Sequence, residues 1–317
     1  MRLINKRFIY SLEREKPQRH IGEYFQVIEY KNQFFLYYCC DGAVKVCKSS
    51  DLVFEHNNTV VSVSNAPGGA FCVIEDSGYL YMLCGSHVSY PDGTGDIEIP
   101  DLVWPTNSRK VIDPEKFRTD RKNGIYVLKS SDGVEWSEYS RRPVMSSLDS
   151  SDTCPIGSVA YDTSPCVVKR GEEFFFFGRL NTALDKRELY LTKSKDLLNW
   201  SPPQKLVIEN EDRSDHNNNY YNPVIYKSKD KYYMLTPYFK ACGTENRVCN
   251  DGKTILMMSE DLENWSIVSD FHHHDGKYGD RVNSSLVIGD AVEVFYRENV
   301  TLNNQKLVCY TLGGFDV

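Results

Sequence analysis

One motif sets the limits on what this chain can become. A strand-like run ends in Ser, an Asp follows two residues later, and a large aromatic follows three or four residues after that. The copies are Ser49-Ser-Asp51-Leu-Val-Phe54, Ser130-Ser-Asp132-Gly-Val-Glu-Trp136, Ser194-Lys-Asp196-Leu-Leu-Asn-Trp200 and Ser259-Glu-Asp261-Leu-Glu-Asn-Trp265. Successive aspartates lie 81, 64 and 65 residues apart. A second element repeats with them: a Val/Ile-rich run, a polar turn, then an aromatic run. Its copies open at Phe25, Phe71, Pro165, Pro223 and Ser285, with partner runs at Phe34, Tyr79, Phe174, Tyr232 and Val292. Five units of roughly 65 residues, each with four strand candidates, predict an all-β fold. The expected form is a five-bladed β-propeller of four-stranded antiparallel blades, one domain over 1–317. The fifth unit ends at Lys306-Leu-Val-Cys-Tyr-Thr311 without an outer strand. Arg7-Phe-Ile-Tyr10 can supply it, so N- and C-terminal strands share a blade and close the ring.

Composition supports strands and narrows the function. The 21 Tyr and 15 Phe favour strands over helices. A net charge of −7 with 26% charged residues argues against a nucleic-acid binder and against a disordered chain. No apolar run approaches the roughly 18 residues of a membrane-spanning helix, so no membrane partner is expected. The ten cysteines form no C-x-x-C pair and are read as reduced, buried thiols. With no signal-peptide pattern near Met1, the expected compartment is reducing and cytoplasmic. No cofactor is expected. The run His272-His273-His274 alternates faces if extended, so at most two imidazoles converge and no metal site is predicted.

Strand direction sorts the loops. Let A to D denote the strands of a blade from the axis outwards. B–C and D–A loops then share one face, and A–B and C–D turns share the other. The Ser-x-Asp turns fall between C and D at the rim, an architectural position, since a site is made once and these occur four times. The opposite face carries the irregular insertions, including 85–122 in blade 2, a candidate lid with His87, Tyr90, Asp92, Trp104 and Arg109. Starts of A strands line an axial funnel: Glu23, Tyr24, Asp162, Asn219, Tyr221, Asp280 and Arg281. Ends of B strands flank it: Asp41, Arg179, Tyr238, Arg297 and Glu298.

The blade rhythm, such as Asp162-Thr-Ser-Pro-Cys-Val-Val followed by Phe174-Phe-Phe-Phe177, and the Ser-x-Asp-Leu-x-x-Trp turns resemble the five-bladed propeller glycosidases. These are glycoside hydrolase families 43, 62, 32, 68 and 117, with the related family 130 phosphorylases. The resemblance covers nearly the whole chain and implies carbohydrate chemistry in the funnel. In family 43 a base Asp followed by Pro opens blade 1; here Gly22-Glu23-Tyr24-Phe25 stands there, so the base position holds Glu23. The family's acid, a Glu at the blade-4 inner strand, is replaced by Tyr221-Asn222-Pro223. The Asn-Asp-Pro and Glu-Cys signatures of family 32 are absent.

Glycoside cleavage needs two groups flanking the bond, one of them protonated. The candidate catalytic residues are Asp162, Glu23, Asp280 and His216. Arg179 in the same blade as Asp162 favours its ionised form, leaving Glu23 or His216 as proton donor. The candidate substrate-binding residues are Arg179, Tyr221, Tyr238, Arg281, Arg297, His87 and Trp104, the arginines being suited to a carboxylate or phosphate. The expected function is an exo-acting glycoside hydrolase with a carbohydrate substrate. A non-catalytic carbohydrate-binding propeller, or a phosphorylase or transferase using the funnel arginines, stays open.

Overall fold

The computed structural model describes residues 2–13, 25–40, 43–54, 59–61, 71–85, 125–140, 144–145, 165–183, 186–211, 218–220, 223–242, 247–272, 281–301 and 304–313. All regular structure among them is β. The chain opens with β1 (Arg2–Glu13). Blade 1 follows as β2 (Phe25–Tyr30), β3 (Gln33–Cys40), β4 (Ala43–Ser49) and β5 (Thr59–Val61), and blade 2 as β6 (Phe71–Asp76), β7 (Tyr79–Gly85), β8 (Ile125–Ser130) and β9 (Ser137–Glu138). Blade 3 is β10 (Cys166–Arg170), β11 (Glu173–Ala183), β12 (Lys186–Ser194) and β13 (Gln204–Lys205). Two short strands, β14 (Val207–Glu209) and β15 (Asn218–Tyr220), precede blade 4: β16 (Val224–Ser228), β17 (Lys231–Cys242), β18 (Arg247–Ser259) and β19 (Asn264–His272). Blade 5 is β20 (Arg281–Ile288), β21 (Ala291–Thr301) and β22 (Asn304–Gly313), completed by β1, which pairs antiparallel with β22. The expected closure by the N-terminal segment is therefore present, and β1 is longer than the four residues that suggested it.

Five buried clusters hold the blades together, one at each joint. They lie between blades 5 and 1 (Phe25, Leu36, Phe295), 1 and 2 (Tyr37, Val46, Met82), 2 and 3 (Leu83, Val127, Phe176), 3 and 4 (Phe177, Met234, Trp265) and 4 and 5 (Leu235, Val294, Tyr310). The run Phe174-Phe-Phe-Phe177 shows why middle strands are apolar on both sides. Phe174 and Phe176 enter the joint with blade 2, while Phe175 and Phe177 enter the joint with blade 4.

The repeated turn is a fixed device. The Asp Oδ1 accepts the Ser hydroxyl at 2.8–3.1 Å in all four copies. It also accepts backbone N–H groups two residues on, from Val53, Val134, Leu198 and Glu263. The residue after each Asp takes positive φ: Leu52 at 68°, Gly133 at 78°, Leu197 at 63° and Leu262 at 69°. The aromatic then folds onto the joint with the preceding blade, as Phe54, Trp136, Trp200 and Trp265. Trp200 and Trp265 donate Nε1–H to the carbonyls of Leu197 and Leu262 at 3.0 and 3.1 Å. Blade 2 departs. Tyr37 from blade 1 donates its hydroxyl to the Gly133 carbonyl at 2.7 Å, and Trp136 Nε1 has no hydrogen-bond partner among the described residues. A Cβ at Gly133 would stand 2.7 Å from the Phe35 ring, which is why glycine replaces leucine in this copy alone.

The inner strands touch around the whole ring: β2 with β6, β6 with β10, β10 with β16, β16 with β20, and β20 with β2. An inner strand has one sheet edge without a partner strand, and such an edge must be satisfied. Here side chains of one blade serve the next. Gln26 Oε1 accepts the Val73 N–H at 2.7 Å and its Nε2 donates to the Val73 carbonyl at 2.9 Å. Cys72 Sγ accepts the Val167 N–H at 3.2 Å, and Cys166 accepts the Ile225 N–H. Ser284 Oγ closes the circle by accepting the Val27 N–H at 3.1 Å and donating to its carbonyl at 3.2 Å. At the joint of blades 4 and 5 the equivalent position is Val224, which has no group to offer. The thiols of Cys72, which is buried, and Cys166, which is half-buried, are thus acceptors on the inner strands.

Candidate functional site

The two faces are distinguished by bonds between turns. Lys31, in the A–B turn of blade 1, donates to the Ser131 carbonyl in the C–D turn of blade 2 at 2.8 Å. Arg170, at the A–B turn of blade 3, donates to the Asp261 carbonyl in the C–D turn of blade 4 at 2.8 Å. Those turns share one face, so the inner strands begin, and the B–C hairpins rise, on the other.

On that other face three hairpins run past the inner strands. Cys166, the first residue of β10, pairs with Phe177, yet β11 continues to Ala183. Val224 pairs with Leu235, and β17 continues to Cys242. Arg281 pairs with Arg297, and β21 continues to Thr301. Among the described residues the blade-1 hairpin runs only two positions past its inner strand: Phe25 pairs with Tyr38 and β3 reaches Cys40. The expectation that Arg179, Tyr238 and Arg297 end their strands is corrected accordingly, since each is followed by at least four more paired or strand residues.

A second correction concerns Asn219, expected at an inner-strand start. It lies in β15, which pairs parallel with β12 through Arg187 and antiparallel with the β17 extension through Tyr238, Phe239 and Lys240. β15 joins blades 3 and 4 into one ten-stranded sheet. Tyr220 on this strand is buried and donates its hydroxyl to Glu211 Oε1 at 2.9 Å. Burial, then the Glu211 carboxylate, pushes the Tyr220 phenol well above its ordinary value, so it stays a donor throughout the accessible pH range. Tyr238 packs edge-on against Tyr220, ring centroids 5.8 Å apart, with the Lys253 ammonium 5.7 Å from its centroid and held by Asp270 at 2.5 Å. Tyr238 is therefore part of the wall formed by blades 3 and 4.

Arg281 and Arg297 stand directly opposite each other on β20 and β21, and Arg297 is only 6% exposed. Glu298, expected at the funnel edge, is bound by Lys6 and by the Tyr310 hydroxyl at 2.7 Å. Arg179 pairs in the backbone with Leu189, two positions beyond Phe177. Asp162, Glu23, Asp280, His216, Tyr221, His87 and Trp104 lie outside the described residues, as does the insertion from 86 onward to 124. What the described strands add is their starting points. β2 begins two residues after Glu23, β10 four after Asp162 and β20 one after Asp280. Sequence reasoning passed over Gln26, Glu211 and the β15 stitch. Gln26 sits in an unremarkable strand, and the partners of these groups are distant in sequence.

No family model and no curated protein matches this sequence. Solved structures do. An endo-arabinase from Bacteroides thetaiotaomicron shares 14% identity, with a TM-score of 0.60 over 98% of this chain and 99% of that one. A thermostable family-43 glycoside hydrolase shares 15%, with a TM-score of 0.57 over 93% and 90%. An α-L-arabinanase from Cellvibrio cellulosa, complexed with arabinohexaose, shares 12%, with a TM-score of 0.56 over 94% of both chains. The protein has the five-bladed propeller fold of these glycoside hydrolases along almost its entire length.

Proposed function

We propose that this protein is a glycoside hydrolase whose site lies in the axial funnel on the face of the long B–C ribbons. The observation that carries the reading is that carboxylates stand at the threshold of three inner strands, Glu23 before β2, Asp162 before β10 and Asp280 before β20. The shared fold of the family-43 glycoside hydrolases supports it. In this reading Asp162 stays ionised and acts as base or charge stabiliser, with Arg179 of the same blade favouring its charge. Glu23 or His216 donates the proton that the leaving glycosidic oxygen takes up. Tyr221, Tyr238, Arg179, Arg281, Arg297, His87 and Trp104 contact the sugar, and the 85–122 insertion closes an exo-acting pocket. A second reading, a carbohydrate-binding propeller without turnover, is favoured by Tyr221-Asn222-Pro223 standing where family 43 carries its acid.

The test is turnover of arabinan and β-1,3-galactan oligosaccharides and of aryl glycosides at pH 5–8. Asp162→Asn should fail on both substrate types. Loss of the true acid should slow natural substrates about 10²-fold while sparing activated aryl glycosides, which need no protonation. If Glu23→Gln and His216→Ala both stay within about threefold of wild type on natural substrates, neither residue is the acid.

A further inference from the structure

The strand β15 meets blade 4 through a row of directly opposed residues. Tyr220 on β15 stands opposite Tyr238 on β17, and Tyr238 opposite Lys253 on β18. Directly opposed positions of antiparallel strands lie on one face of the sheet. Tyr238 is three positions beyond Leu235, the residue paired with Val224 at the start of the inner strand, so it belongs to the part of the hairpin that rises past the ring. The β17–β18 ladder breaks immediately after it: Tyr238 pairs with Lys253 but Phe239 with Asn250. A bulge of this kind re-aims a side chain. Tyr238 itself is half-buried and braced from both neighbouring strands. On one side is Lys253, fixed by Asp270 at 2.5 Å. On the other is Tyr220, 2% exposed, its ring edge-on with centroids 5.8 Å apart. A phenylalanine would fill the same space as Tyr220. What the hydroxyl adds is a tie to Glu211, nine positions earlier in the chain, at 2.9 Å. That tie is the one side-chain bond of the Glu211 carboxylate among the described residues.

We propose that Tyr220 is a positioning residue: anchored by Glu211, it sets the ring of Tyr238 as the sugar-contacting wall between blades 3 and 4. The inference rests on the funnel reading above, in which Tyr238 contacts the sugar. It adds the pair of residues that holds this contact in place. It also makes the wall a binding element, felt equally by the bound sugar and by the transition state.

The experiment measures kcat and KM separately for the full chain on arabinan and β-1,3-galactan oligosaccharides, with thermal unfolding as a check on folding. Tyr238→Ala should raise KM about tenfold with kcat within about twofold, the pattern of lost uniform binding. Tyr220→Phe, which removes the hydroxyl alone, should raise KM about fivefold with kcat likewise kept, and Glu211→Ala should match it. Glu211→Gln keeps an acceptor for the hydroxyl and should restore most of the wild-type KM. If Tyr220→Phe does not fold, the two Glu211 variants carry the same comparison. The variant combining Tyr220→Phe with Tyr238→Ala should have the KM of Tyr238→Ala alone within about twofold, because a residue that acts through Tyr238 has no effect without it. A packing role would instead lower the unfolding temperature and leave KM unchanged. An unchanged KM in Tyr220→Phe and Glu211→Ala, an unchanged KM in Tyr238→Ala, a loss confined to kcat, or effects that multiply in the double variant overturns the positioning role and leaves the glycosidase reading in place. No turnover of either glycan by the wild type overturns that reading and this inference with it.

Discussion

Replacing Gln26 by Met tests whether the ring of side-chain bonds around the axis contributes to stability. Methionine has nearly the same volume and keeps the apolar contacts, so the change isolates the two hydrogen bonds. Val73 is 3% exposed and lies in the joint between blades 1 and 2. Its N–H and C=O both bond Gln26, at 2.7 and 2.9 Å. Leaving one buried polar group unsatisfied costs about 1–3 kcal/mol. Two groups on one residue would cost about 2–6 kcal/mol, and the half-buried position of Gln26 admits some water, so about 2–4 kcal/mol is expected. Gln26→Glu keeps the acceptor for the N–H but places a carboxylate against a carbonyl, so it should fall between wild type and Gln26→Met below pH 4 and near Gln26→Met at pH 7. The assay is urea unfolding followed by the fluorescence of the four tryptophans, combined with native-state amide exchange at Val73. The Val73 amide should lose protection by the factor that corresponds to the stability change at this joint. If Gln26→Met unfolds within about 0.5 kcal/mol of wild type and the Val73 amide exchanges unchanged, the inner edges are satisfied by water and the ring has no energetic role.

Two further outcomes follow from the turns and thiols. Burial would raise the Asp196 carboxyl, but the Asn199 backbone and side chain, the Leu198 N–H and Ser194 outweigh it and hold it at about 2; Asp261 is lowered in the same way. A carboxyl depressed by folding stabilises fully above its unfolded value of about 3.9 and loses that contribution as pH falls towards its folded value. Between pH 4 and 2 the stability should therefore fall by about 1 kcal/mol per turn after allowance for solvent screening, and Asp196→Asn should flatten that part of the profile, as measured by chemical unfolding across pH; an unchanged slope would refute the turn account. Burial pushes the Cys72 thiol up to about 12 and Cys47 up to about 11, so both should react with iodoacetamide at pH 8 at least tenfold more slowly in the folded protein than in urea, and equal rates by mass spectrometry would contradict their placement.

The blade count, the rim turns and the terminal closure were legible in the sequence because each is a local or periodic property. A Ser-x-Asp turn needs only its own few residues, and an aromatic strand buried on both sides reads as an uninterrupted apolar run such as Phe174-Phe-Phe-Phe177. The missing outer strand of the fifth unit pointed to Arg7-Phe-Ile-Tyr10 by elimination, and β1 pairs with β22. The joints were not legible. Gln26 meets Val73 across 47 positions, Cys72 meets Val167 across 95, and Ser284 meets Val27 across 257, and no period relates them. Equally, nothing in Asn218-Asn-Tyr220 announces a strand; it pairs because the extended β17 and β12 ribbons offer open edges on both sides. The opposition of Arg281 and Arg297 depends on register, which is set by the turn at Gly289 and the bulge between Val282 and Ser284. Local chemistry determined how each blade is built. Only the ring, which brings distant edges within hydrogen-bonding reach, decided which groups meet across the joints.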